Sequence, residues 1–287
     1  MATLKKKLAK NVEGNFFVDS TCINCDTCRQ LAPEVFGEAF DASYVYHQPK
    51  DPEEERHALR AILACPTSSI GTEKRMNAQA VMNDFPLPLE GDVFYCGFNS
   101  TKSFGGNSYF VKHPEGNWLI DSPKFLPHLI RRFREAGGIR NIFLTHRDDV
   151  ADAQKYAQEF RSSLIIHRED RSALPEADHL LEGELPIALQ NDFMAIPTPG
   201  HTRGHCVLLY RNTYLFSGDH LWWDPEGHRL GASKSACWYS WPTQVQSMKR
   251  LLDFPFEWVC PGHGSRVKLP PDQIKRYLKE LIQRMER

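Results

Sequence analysis

Two groups of metal-binding side chains stand out in this sequence. The first is Cys22-x2-Cys25-x2-Cys28, joined much later by Cys65 in the pair Cys65-Pro66. Three thiolates at this spacing on one loop can wrap one face of an iron–sulfur cubane, and a distant cysteine can close the fourth corner. The second group is dispersed. It comprises Asp121, Thr145-His146-Arg147-Asp148-Asp149, Pro199-Gly200-His201-Thr202-Arg203-Gly204-His205, Ser217-Gly218-Asp219 and Pro261-Gly262-His263-Gly264. Imidazoles mixed with carboxylates suit zinc or iron. Such a metal lowers the pKa of a bound water and delivers hydroxide to a polarised carbonyl or phosphorus. Two histidines and a carboxylate can equally hold non-haem Fe(II) with positions left open.

Elements with the right order to carry these residues can be read from the pattern. In residues 1–75 a short strand over 16–18 precedes the cysteine loop, a short helix is expected near 29–36, and a second helix over 52–64 begins at Pro52 with acids in its first turn. Residues 76–90, with Pro86 and Pro88, read as a linker. From Gly91 to the C-terminus the pattern becomes strands at 93–96, 107–112 and 117–121, a helix at 126–136, a strand at 141–145, a helix at 149–160 and a strand at 164–167. Strands at 193–196, 206–210 and 213–217 follow, then a helix at 242–252, a strand at 256–260 and a helix at 271–285. Two rounds of strands and helices predict an α+β layered fold with helices covering sheets. Each dispersed ligand falls just past a strand, where loops gather on one edge of a sandwich.

The residues CINCDTCRQLAPEVF and the closing CPTSSI resemble single-cluster bacterial-type ferredoxins over about residues 14–72. Two-cluster relatives carry a fourth local cysteine before proline, and here that place is Ala32-Pro33. The resemblance implies one [4Fe–4S] cluster on Cys22, Cys25, Cys28 and Cys65. The motifs PGHTRGH, SGDH and PGHG, in that order, resemble the metallo-β-lactamase superfamily over about residues 91–287, which implies an αββα sandwich. By that resemblance His146, His201 and Asp219 bind a first metal and His263 serves a second site. Asp121 supports the site from behind, and His205 holds the ligand loop.

One motif departs from that family. Its His-x-His-x-Asp-His becomes His146-Arg147-Asp148-Asp149-Val150-Ala151-Asp152 here, so Asp148 replaces the second histidine, and Val150 and Ala151 cannot bind metal. Asp152 is a stand-in ligand if the helix entry is rearranged, and acids there also serve as helix caps. Asp148 or Asp149 could act as a base on a metal-bound water, and His220 could line the site or donate a proton. Residues 220–241 hold four of the six tryptophans and read as either a cleft wall or core. Cys96, Cys206, Cys237 and Cys260 read as inert thiols.

Three functions fit these residues. One is hydrolysis of an ester, thioester or phosphodiester by a zinc-type site. Another is an iron-dependent oxidoreductase fed electrons by the cluster, as some relatives in the superfamily are. In the last, the C-terminal module is non-catalytic and the ferredoxin domain carries electron transfer. Lys+Arg 35 against Asp+Glu 36 gives no basic excess for nucleic acid, and no apolar run is long enough for a membrane span. The N-terminal stretch has lysines without an apolar run after them, so the expected compartment is the cytoplasm. The expected partners are a small-molecule substrate and a redox protein.

Overall fold

The structure, a computed structural model, describes residues 2–287. Asp51 caps the helix Pro52–Ala64 by accepting from the amides of Glu53 and Glu54 at 3.0 Å, and that helix delivers Cys65 at its end. The strands Phe16–Val18 and Ile70–Thr72 pair antiparallel and bring the two ends of this unit together. The helix expected near 29–36 runs only over Thr27–Leu31. Pro33 follows at once, and Phe36–Ala39 forms a hairpin with Ala42–Val45 instead. Phe16, Val18, Val35, Phe36, Val45, Ala58 and Ala61 form a small separate core.

The stretch expected as a linker is folded. Residues Ala78–Asp84 make a 3-10 helix, and Leu87–Glu90 becomes the edge strand beside Val93–Tyr95. Val81 and Phe85, both ahead of Pro86, are buried, one in the core of each unit.

The remainder is two sheets packed face to face with helices outside. One sheet has seven strands, ordered His179–Leu181, Ser163–His167, Asn141–Phe143, Trp118–Ile120, Tyr109–Val111, Val93–Tyr95 and Leu87–Glu90. The other has six, ordered Ile187–Gln190, Phe193–Pro197, Cys206–Tyr210, Tyr214–Gly218, Trp258–Pro261 and Val267–Lys268. The alternation of strand side chains divides the second sheet cleanly. Leu208, Tyr210, Phe216 and Cys260 meet the first sheet, while Val207, Leu209, Leu215 and Val259 face the helices Trp241–Arg250 and Pro271–Met285. The helices Pro127–Glu135 and Ala153–Phe160 cover the first sheet through Phe133 and Tyr156. This is the expected αββα sandwich. The helix expected from 149 starts at Ala153, because Arg147–Asp149 form a 3-10 turn and Ala151 takes φ +36°.

Trp118 clamps the two sheets. Its ring stacks on Phe193 at 4.2 Å, and its indole N–H donates to Gln190 at 2.8 Å. Trp118→Ala should cost about 3–5 kcal/mol of stability, measured as a lowered urea midpoint by far-UV circular dichroism.

Candidate active site

The cluster loop turns sharply at Asn24 and Asp26, both in the left-handed region at φ +55° and +60°. Such turns aim backbone amides at an enclosed ligand. Asn24 N–H donates to Cys22 Sγ at 3.4 Å and Ser69 N–H to Cys65 Sγ at 3.3 Å. All four cysteines are free; Cys28 and Cys65 are buried, Cys22 and Cys25 half-buried. Burial pushes the Cys25 thiol up to about 11 and the Cys28 thiol further. Thiolate at such a place needs a metal, which takes the deprotonated ligand outright. Four free cysteines, two of them with an amide donor aimed at the sulfur, fit a [4Fe–4S] cluster.

At the edge of the sandwich, four ligand atoms converge. His146 Nε2 lies 3.9 Å from Asp148 Oδ2 and 3.7 Å from Asp219 Oδ2. His201 Nε2 lies 3.4 Å and 3.6 Å from the same two oxygens. A tetrahedral metal with bonds of about 2.1 Å sets its ligand atoms about 3.4 Å apart. Both Nε2 atoms are buried with no hydrogen-bond partner. Burial lowers the His146 pKa to about 4, so its ring is neutral, as a ligand must be. Two sets that share His146 come close enough to hold a metal ion: His146, Asp148 and His201, and His146, Asp149 and Asp219.

Supporting groups fix these rings. Asp121 sits at φ +54° and accepts from the amide of Thr145 at 2.9 Å and from its hydroxyl at 3.0 Å. The Thr145 hydroxyl in turn accepts from His146 Nδ1 at 2.9 Å, which leaves the Nε2 lone pair facing the metal position. His205 Nδ1 donates to Thr198 Oγ1 at 2.9 Å, and its Nε2 accepts the Asp219 amide at 3.3 Å, so it seats Asp219. Asp170 was not legible as part of the site. Fully buried, it accepts from the Arg147 amide, the Thr202 hydroxyl and the Gly204 amide at 3.1, 2.5 and 3.0 Å. It ties the His146 loop to the His201 loop. Its one sequence signal is an acid placed just past the strand Ser163–His167.

The other expected residues divide. Asp149 is buried beside Asp219, and neither of its oxygens has a partner. Burial and the neighbouring Asp219 push its carboxyl well above the usual range. His263 donates through Nδ1 to Asp219 Oδ1 at 2.7 Å and through Nε2 to the Ser103 carbonyl at 3.1 Å, so both ring nitrogens are engaged. Asp152 is not a ligand. The turn at Ala151 swings it outward, where it meets Lys102 at 2.7 Å, Lys155 at 3.1 Å and the Phe125 amide at 3.1 Å. His220 is buried beside His205, ring centroids 5.6 Å apart, and does not line the cleft. Among the tryptophans of 220–241, Trp222 and Trp238 line the cleft, whereas Trp223 and Trp241 pack on the second core.

That cleft, of about 1030 Å³, is walled by both parts of the chain. Asn24, Cys25, Asp26 and Arg29 of the cluster unit face Asp148, His201, Asp219 and His263. Hydrogen bonds seal the seam: Asn99 Nδ2 donates to Thr27 at 3.1 Å and Lys124 Nζ to the Pro66 carbonyl at 2.8 Å.

An αββα sandwich with histidines and carboxylates gathered on one edge is the architecture of the metallo-β-lactamase fold. Residues 18–72 match the family described as the 4Fe-4S single cluster domain of ferredoxin I. The chain is 33% identical to a hydroxyacylglutathione hydrolase of Rhizobium etli over 140 residues, 47% of this chain and 52% of the relative. It is 25% identical to a β-lactamase-like protein 2 homolog of Drosophila melanogaster, covering 67% and 70% of the two chains. The DIM-1 metallo-β-lactamase crystal structure superimposes with TM-score 0.53 at 17% identity, covering 69% of this chain and 95% of that one. The chain spans about half the length of the hydroxyacylglutathione hydrolases it matches. It therefore joins a single-cluster ferredoxin domain to a domain of metallo-β-lactamase fold.

Asp170→Ala should lower metal affinity at the histidine site about 10- to 100-fold, as loss of a positioning carboxylate does. Metal titration of the purified protein measures this, and the iron–sulfur absorbance should stay unchanged.

Proposed function

We propose that this protein is an oxidoreductase whose mononuclear iron site works with the neighbouring [4Fe–4S] cluster on a small molecule held between them. The observation that carries this reading is the shared cleft: Cys25, a cluster ligand, lines it together with His201, Asp148 and Asp219. Hydrolysis has no use for a cluster ligand in the substrate wall. Iron in this ligand set would supply one-electron chemistry with a position open to substrate. The chain's own residues do the rest. Asp121 and Thr145 hold His146 in its metal-facing tautomer, and Asp149 lies where it can exchange a proton with a bound molecule. Trp222 and Trp238 form an aromatic wall of the cleft against which a bound molecule can pack. An external redox protein supplies the electrons. Eight free cysteines and an iron–sulfur cluster suit the cytoplasm, where thiols stay reduced.

Hydrolysis is the second reading. It is favoured by the likeness to hydroxyacylglutathione hydrolase and by the unpartnered side chain of Asp149 on the cleft wall, where an attacking water would sit. Elemental analysis of anaerobically purified protein separates the two. The redox reading expects about five irons per chain, one of them lost in His201→Ala with the cluster spectrum retained. Zinc in place of the fifth iron, with thiol release from a hydroxyacylglutathione thioester, would establish hydrolysis instead.

A further inference from the structure

We propose that the backbone from Ser103 to Gly105, with His263, forms the electron route between the cluster and the mononuclear site. The inference rests on the redox reading above. Gly105 touches the cluster loop directly. A Cβ there would stand 2.7 Å from Cys25 Cβ and 3.0 Å from Cys25 Sγ, and the residue sits at φ +88°. Only glycine lets a backbone come this close in this conformation. Two residues back along the chain, the Ser103 carbonyl accepts the Nε2–H of His263 at 3.1 Å. The Nδ1–H of the same ring donates to Asp219 Oδ1 at 2.7 Å. The other oxygen of Asp219, Oδ2, faces His146 and His201 at 3.7 and 3.6 Å, at the metal position.

The route from Cys25 sulfur to a metal ligand therefore consists of one van der Waals contact, a short run of covalent bonds and two hydrogen bonds. The direct line from Cys25 to the metal ligands crosses the open cleft. Both ends of the bridge are pinned. Buried Asn99 donates to the Gly105 carbonyl at 2.7 Å and to Thr27 of the cluster unit at 3.1 Å. Beyond it, the Asn107 amide donates to the Gly262 carbonyl at 2.6 Å, next to His263. Phe104, between Ser103 and Gly105, is a non-glycine residue held at φ +50°, the kind of local strain that a functional turn retains.

The step is a single electron transfer. The reduced cluster is oxidised by one electron, the ferric ion is reduced to ferrous, no bond breaks and no proton has to cross. In the test, dithionite supplies the electron in place of the redox protein. The mononuclear site is loaded with ⁵⁷Fe(III) and the cluster with natural-abundance iron, so freeze-quench Mössbauer spectra report the ferrous product alone. Cluster reduction is followed by its visible bleaching. His263→Phe removes both hydrogen bonds and should slow the appearance of ferrous iron by about tenfold or more. Gly105→Ala, which keeps every ligand residue but presses a methyl group against Cys25, should slow it likewise and alter the electron paramagnetic resonance of the reduced cluster. If wild type transfers and both variants match its rate, the route is overturned and the redox reading stands. If the wild-type cluster bleaches and ⁵⁷Fe(III) stays ferric, the redox reading falls and the route with it.

Discussion

The site depends on a set of polar atoms buried without partners. His146 Nε2, His201 Nε2 and both oxygens of Asp149 are shielded from water and make no hydrogen bond within the protein. Each such group costs about 1–3 kcal/mol when left unsatisfied. A fold that gathers such groups beside Asp148 and Asp219 is arranged for a cation, which offsets their desolvation in a single step. Everything around them serves to hold that arrangement. Asp121 and Thr145 set one imidazole, His205 seats Asp219, and Asp170 fastens the two ligand loops to each other.

The same logic governs the cluster loop. Thiols pushed up in pKa by burial are poor ligands until metal arrives. The left-handed residues Asn24 and Asp26 place amides where thiolate charge will collect. The two sites share more than a chain. Gly105 and Gly106 form a wedge whose faces lie against Cys25 on one side and Asp149 on the other. Neither position has room for a side chain, so the geometry of each site is felt by the other.

Much of this was legible from the residues. The cysteine spacing pointed to the cluster, and the dispersed motifs pointed to His146, His201 and Asp219, which the structure brings together, because each follows an apolar strand, His201 and Asp219 beside a glycine. The aspartates after His146 were harder. Whether Asp148, Asp149 or Asp152 faces the metal depends on the single turn at Ala151, and φ +36° at an alanine has no sequence signature. His220 misled because its neighbour Asp219 faces the cleft while its own ring is buried beside His205. Asp170 gave only the weak signal of an acid past a strand, because its role is to bridge two loops, a relation written in tertiary structure. The hairpin Phe36–Val45 was hidden by its length, four residues to a strand.

The placement of Cys25 on the cleft wall has a consequence for oxygen. A cluster sunk in its own domain is reached only by local opening of the protein. Here an open cleft ends at a cluster ligand, so dissolved dioxygen has a way in. The occupant of the cleft then acts as a stopper, and the lifetime of the cluster in air becomes a property of the ligand as much as of the fold.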